Sequence, residues 1–95
     1  MKALVVIDML NDFVLKNAPL EVPKARGIIK NIRSEIDKAH RKCIPVLYVC
    51  DTHKKDDKEF RIWPAHAVKG TEGQKVVDKL KPTAKDYIVT KTTYS

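Results

Sequence analysis

The sequence predicts an α/β domain built on a parallel sheet, and two observations predict it. Three short apolar runs, over residues 3–7, 45–50 and 87–90, have the length and content of strands. Apolar residues at helical spacing fill the first interval, and a helix-start signature with a short apolar face fills the second. The order β-α-β-α-β is half of a doubly wound α/β domain.

The first run is continuous and rich in β-branched residues, the pattern of a strand covered on both faces. A loop follows with Asn11, Asp12, Asn17, Pro19 and Pro23. Ala25, Ile28, Ile29, Ile32, Ile36 and Ala39 then form one apolar stripe, which predicts a helix over residues 23–42. Pro23 suits a first turn, and His40, Arg41 and Lys42 place positive charge where the macrodipole favours it. Pro45 biases Ile44 toward an extended conformation and opens the second strand. Thr71-Glu72-Gly73-Gln74 has the form of a capping box, Val76, Val77 and Leu80 supply an apolar face, and Pro82 closes this second expected helix.

Right-handed crossovers place the three strands side by side, with both helices on one face. The other face is then bare, as is one edge of the first strand, and such an edge invites aggregation. The chain stops just where a further crossover helix would begin. We therefore expect residues 1–95 to be the N-terminal half of a single domain.

Ninety-five residues suit one small domain. No apolar run reaches the roughly 18 residues of a membrane helix. The N-terminus meets Asp8 after a few apolar residues and lacks a small-residue cleavage pattern, so a cytoplasmic protein without a signal peptide is expected. Cys43 and Cys50 lie at opposite ends of one strand, roughly 20 Å apart at about 3.3 Å per residue, too far to bridge. Reduced thiols are expected, with Cys43 a buried structural one. The net charge of +7 comes from lysines spread along the chain and interleaved with acids, as in Lys54-Lys55-Asp56-Asp57-Lys58-Glu59. This reads as a solvated face, and neither nucleic acid nor membrane is an expected partner.

Open α/β sheets bind ligands beyond the carboxyl ends of their strands. Asp8, Asp51 and Lys91 close the three strands. An ammonium beside a carboxylate keeps it ionised, and the carboxylate can then take a proton from a nucleophile. A structural salt bridge has the same sequence pattern. Asp51-x-His53 offers one carboxylate and one imidazole from a strand end, and His66 could return as a third ligand. Three O/N ligands with a vacant position are how catalytic zinc or iron sites are built, although loop histidines are common. Phe13 and Trp63 either pack under a loop or wall a pocket for a flat ligand.

The motifs ALVVIDMLNDF, YVCDTH, WPAH and VTKTTYS, in this order and spacing, resemble the isochorismatase-like cysteine hydrolases, which include nicotinamidase and N-carbamoylsarcosine amidase. The resemblance implies a three-layer Rossmann-like parallel sheet, of which this chain supplies the first half. It implies catalytic roles for Asp8 and Lys91, a divalent zinc or iron ion on Asp51, His53 and His66, and substrate contacts from Phe13 and Trp63. The implied reaction is hydrolysis of a small, cyclic or aromatic amide through a cysteine thioester. Leu10 stands where many members carry Gln, and Thr52 where typical nicotinamidases carry Trp. The family's nucleophilic cysteine falls beyond Ser95. Cys50 does not replace it, because its side chain alternates away from Asp51 and a neighbouring carboxylate raises a thiol pKa. The expected partners are a small amide, a C-terminal half or second chain carrying that cysteine, and further copies in a homo-oligomer. The alternative is a non-catalytic half-domain that binds a metal or ligand and docks onto a partner.

Overall fold

The computed structural model describes residues 2–92. Three parallel strands, β1 (Leu4–Ile7), β2 (Val46–Asp51) and β3 (Tyr87–Lys91), form one sheet in the order β1-β2-β3. Val5 aligns with Leu47 and Leu47 with Tyr87, while Asp51 aligns with Lys91. A short helix, α1 (Asn11–Val14), follows β1, and α2 (Ile29–Arg41) crosses from β1 to β2. The last residues of the VTKTTYS motif, Thr93 to Ser95, lie outside the described residues.

Alternation along the strands sorts their side chains onto two faces. Val6, Val46 and Tyr48 turn toward Ile36 and Ala39 of α2, and all five are buried. The buried Tyr48 hydroxyl donates to the Leu80 carbonyl at 2.7 Å, which ties the second crossover to the same face. The opposite face carries Val5, Ile7, Leu47, Val49, Tyr87 and Val89. Ile7 there is 59% exposed and Tyr87 61%. So β1, expected to be covered on both faces, is covered on one by the described residues.

The expected helix over 23–42 begins instead as a 3₁₀ turn, Pro23–Ile28, before α2 proper. It ends in a Schellman arrangement. Ile44 N–H donates to the Ala39 carbonyl and Cys43 N–H to that of His40, with Cys43 in the left-handed region at φ 56°. That stop also corrects the expectation for Cys43, whose thiol is exposed rather than buried.

The second expected helix is not α-helical. Residues 71–82 form two 3₁₀ turns, Glu72–Gln74 and Asp78–Leu80, with an extended link between them. Both capping-box side chains are spent outside the turn, because the Thr71 hydroxyl donates back to the nearby Val68 carbonyl and Gln74 Oε1 accepts from the distant Thr52. The link itself pairs with the chain after β1. Leu10 bridges Val76, Asn11 N–H donates to Lys75 O, and Val77 N–H to Met9 O. These long-range bonds use backbone groups that a helix would need for itself. Among the described residues no helix is long and apolar enough to cross a membrane.

Candidate active site at the carboxyl rim

The three strand ends meet. Asp8 follows β1 with φ 54°, a left-handed conformation that Asp tolerates better than most residues. This turn takes its side chain out of the strand's alternation and over the end of β2. Its Oδ1 accepts the Asp51 N–H at 3.1 Å, and its Oδ2 lies 3.2 Å from Lys91 Nζ. Lys91 also donates to Oδ1 of Asp51. Burial alone pulls the Lys91 ammonium toward deprotonation, but the hydrogen bonds to Asp51 and Asp8 outweigh it and its pKa is raised. One cation is thus held between two carboxylates.

Asp51 reaches the other way as well. Its Oδ2 is 3.6 Å from Nε2 of His53. His53 donates through Nδ1 to Asp57 at 3.0 Å, and His66 donates through Nδ1 to the Pro64 carbonyl at 2.7 Å. With Nδ1 donating in both rings, Nε2 is the nitrogen each ring has left to offer a ligand. One donor atom from each of Asp51, His53 and His66 lies within 4.8 Å of the others, and all three residues are buried. The buried Nε2 of His53 has no hydrogen-bond partner among the described residues. Buried polar atoms are normally satisfied. A nitrogen left in this way, beside one carboxylate and a second imidazole, fits a divalent ion with O/N ligands.

The rings around this group are ordered by packing. His53 and His66 have centroids 4.8 Å apart, and Phe60 lies 5.6 Å from His53 and 5.4 Å from His66. Phe13 approaches His66 at 5.6 Å. A cleft of about 400 Å³ opens over the rim, lined by Asp8, Asp51, Lys91 and His66 together with Phe13 and the half-exposed Trp63. Its size suits a small ligand, and it pairs aromatic surface with a few convergent charges.

All seven residues singled out in the sequence therefore border one region, with His53 behind the cleft wall. Sequence reasoning missed Glu59, which lines the cleft and has Oε2 3.6 Å from Nε2 of His53. It also missed Asp57, which orients His53. Asp57 is held below the usual carboxylate range by the Glu59 N–H and then by His53. Both were read as part of a solvated charged loop. The i, i+4 spacing of His53 and Asp57 was the available signal.

Neither family departure faces the cleft. Leu10 is fully buried in the core, and Thr52 turns to Gln74. Cys50 is buried too, and its thiol is pushed up to about 11 by burial and then by Asp8 and Asp51, against the opposing pull of Lys91. It is a protonated thiol at neutral pH.

The family model for the isochorismatase domain matches residues 2–95. The chain belongs to the isochorismatase family. This isochorismatase-family chain is 30% identical over 103 residues to a probable inactive nicotinamidase of Arabidopsis thaliana, covering 98% of this chain and 53% of that protein. Among solved structures it is similar to N-carbamoylsarcosine amidase from Thermoplasma acidophilum, with a TM-score of 0.86 and 42% identity over 98% of this chain and 53% of that one. It is also similar to the pyrazinamidase of Pyrococcus horikoshii in complex with zinc, with a TM-score of 0.87 and 30% identity over 96% and 51% of the two chains. The chain spans about half the length of each of these three relatives.

Proposed function

We propose that this chain supplies the acid–base and metal-binding half of a cysteine amidohydrolase that cleaves the C–N bond of a small cyclic or aromatic amide. The observation that carries this reading is Lys91 shared between Asp8 and Asp51 at the mouth of the aromatic-lined cleft. The kinship with an N-carbamoylsarcosine amidase and a pyrazinamidase supports the choice of amides.

In this reading Asp8 is the proton acceptor. The Asp51 N–H and the Lys91 ammonium orient its carboxylate, leaving further lone pairs for a thiol proton. The thiol comes from a C-terminal half or a second chain, since Cys50 is buried and protonated and Cys43 lies at the far end of β2. The thiolate attacks the amide carbonyl, Asp8 returns the proton to the departing nitrogen, and ammonia leaves. Asp8 then takes a proton from water as it attacks the thioester, the C–S bond breaks to release the acid, and Asp8 returns the proton to the departing thiolate. Phe13 and Trp63 pack against the substrate's flat body. Asp51, His53 and His66 would hold a zinc or iron ion, whose contribution would be an electrophilic contact that orients the substrate. Unpaired thiols suit a cytoplasmic setting, and homo-oligomerisation of the completed domain belongs to the same proposal.

The test is ammonia release from nicotinamide and related small amides, by the 95-residue chain alone and after mixing with a complementary C-terminal half. Turnover is expected only in the mixture. Appreciable turnover by the isolated chain would refute the need for an outside thiol.

The bare apolar face of the sheet favours a second reading, a non-catalytic half-domain that binds a ligand or metal and docks onto a partner. Binding of the C-terminal half without any hydrolysis would support this over the enzyme.

A further inference from the structure

We infer that Asp12 is a positioning residue that sets where His66 presents Nε2, acting through the Ala67 peptide; this rests on the metal-site reading above. Asp12 belongs to α1, and among the described residues it forms no hydrogen bond with the rim carboxylates or with His53. Its Oδ2 instead accepts the Ala67 N–H at 2.9 Å, the peptide group that directly follows His66.

Three features show that this bond is built into the fold. Ala67 is fully buried with φ 46°, a left-handed conformation that an L residue adopts at a cost. That turn directs its N–H at Asp12. The carbonyl of the same residue accepts from the His53 N–H at 2.9 Å, and the His53 carbonyl accepts from Lys69 N–H at 2.8 Å. One residue thus joins the two imidazole-bearing segments, and Asp12 holds its free end. Finally, the Asp12 carboxylate fills the space that a side chain at residue 73 would take, since a Cβ built on Gly73 would collide with it. Asn11 keeps this close approach in place, with Nδ2 donating to Glu72 O at 2.7 Å and its own N–H to Lys75 O at 2.9 Å.

The chain therefore approaches His66 from α1 twice. Phe13 packs against the imidazole, and Asp12 fixes the peptide behind it. Metal ligands depend on such supporting bonds for orientation, and losing one typically weakens metal affinity about 10- to 100-fold.

The test is Co²⁺ titration of the intact protein, followed by its visible absorption bands, for the unaltered chain and for Asp12→Ala, Asp12→Glu and Asp12→Asn. The unaltered chain should bind one equivalent. Asp12→Ala and Asp12→Glu should each lose about 10- to 100-fold in affinity with altered bands. The glutamate keeps the charge, but its extra methylene shifts the carboxylate in a space already closed by the backbone at Gly73. Asp12→Asn, which keeps an acceptor in that place, should stay within about threefold. Co²⁺ affinity within twofold of the unaltered chain in Asp12→Ala or Asp12→Glu overturns the inference and leaves the metal site standing. No Co²⁺ binding by the unaltered chain removes the metal-site reading and this inference with it. Should neither the alanine nor the glutamate variant fold, amide exchange in Asp12→Asn decides. An Ala67 N–H as slow as in the unaltered protein supports the assignment, and one at the rate of an exposed peptide overturns it.

Discussion

Lys91 Nζ lies 3.2 Å from Oδ2 of Asp8 although the two residues close strands on opposite edges of the sheet. They meet because the left-handed turn at Asp8 carries its carboxylate across the end of β2, where Lys91 already pairs with Asp51. One ammonium therefore neutralises two acids from two different strands.

Replacing it separates two effects. Lys91→Met should lower amide hydrolysis in the completed domain by at least about 100-fold, the usual scale for losing assisted proton transfer. Its effect on stability should depend on pH. The folded-state pKa is raised, so the lysine's stabilisation is fully present below the ordinary lysine value of about 10.4 and is lost as pH climbs through the higher folded value. Urea midpoints of the two chains should differ steadily from pH 7 to 9 and converge in strong alkali. A gap that persists unchanged there would contradict the pairing.

The two thiols should behave oppositely. Cys43 is exposed and Cys50 is buried with its pKa pushed up to about 11. Ellman's reagent at pH 8 should therefore titrate one thiol in the native protein and both in denaturant. Fast native reaction of both would mean that β2 opens readily at its carboxyl end.

Metal binding is expected to register as stability. Zn²⁺ or Co²⁺ at 100 times its Kd should stabilise the fold by about 2.7 kcal/mol, and a chelator should reverse the gain. His53→Ala should abolish the shift in melting temperature. His40→Ala, at the other end of the sheet, should leave it intact.

That distant histidine has its own role. His40 Nε2 donates to Oδ1 of Asp86 at 2.7 Å, pinning the end of α2 to the turn before β3. Burial raises the Asp86 pKa, but bonds from Thr83 N–H, His40 and the Thr83 hydroxyl outweigh it, and the net shift is downward. The Asp86 contribution is thus present above the ordinary carboxylate value of about 3.9 and is lost as pH falls through the lower folded value. Asp86→Ala should cost about 1–3 kcal/mol at neutral pH, the scale for losing hydrogen bonds to a charged group. The deficit should shrink in acid, as followed by chemical denaturation.

Periodicity made the strands and α2 legible in the sequence, because burial imposes a repeat of two or of 3.6 on neighbouring residues. The strand ends then placed Asp8, Asp51 and Lys91 with no knowledge of tertiary contacts. Residues 71–82 misled for the converse reason. A capping box is a local signal, and here Thr71 and Gln74 found other partners, Gln74 pairing with a residue on a distant segment. Asp12 and Glu59 were invisible as site residues because their importance comes from what the fold brings beside them. The Ala67 peptide lies 55 positions from Asp12. Cys43 escaped because hydropathy reports how apolar a residue is, not which way a helix stop turns it.

Asp51 and Lys91 share their sheet face with Leu47, Val49, Tyr87 and Val89. A polypeptide that lays its apolar side over those residues would therefore lie directly beside the charged rim. Under the amidohydrolase reading proposed above, docking of such a partner and completion of the cleft would be coupled, and hydrolysis would follow the partner's concentration.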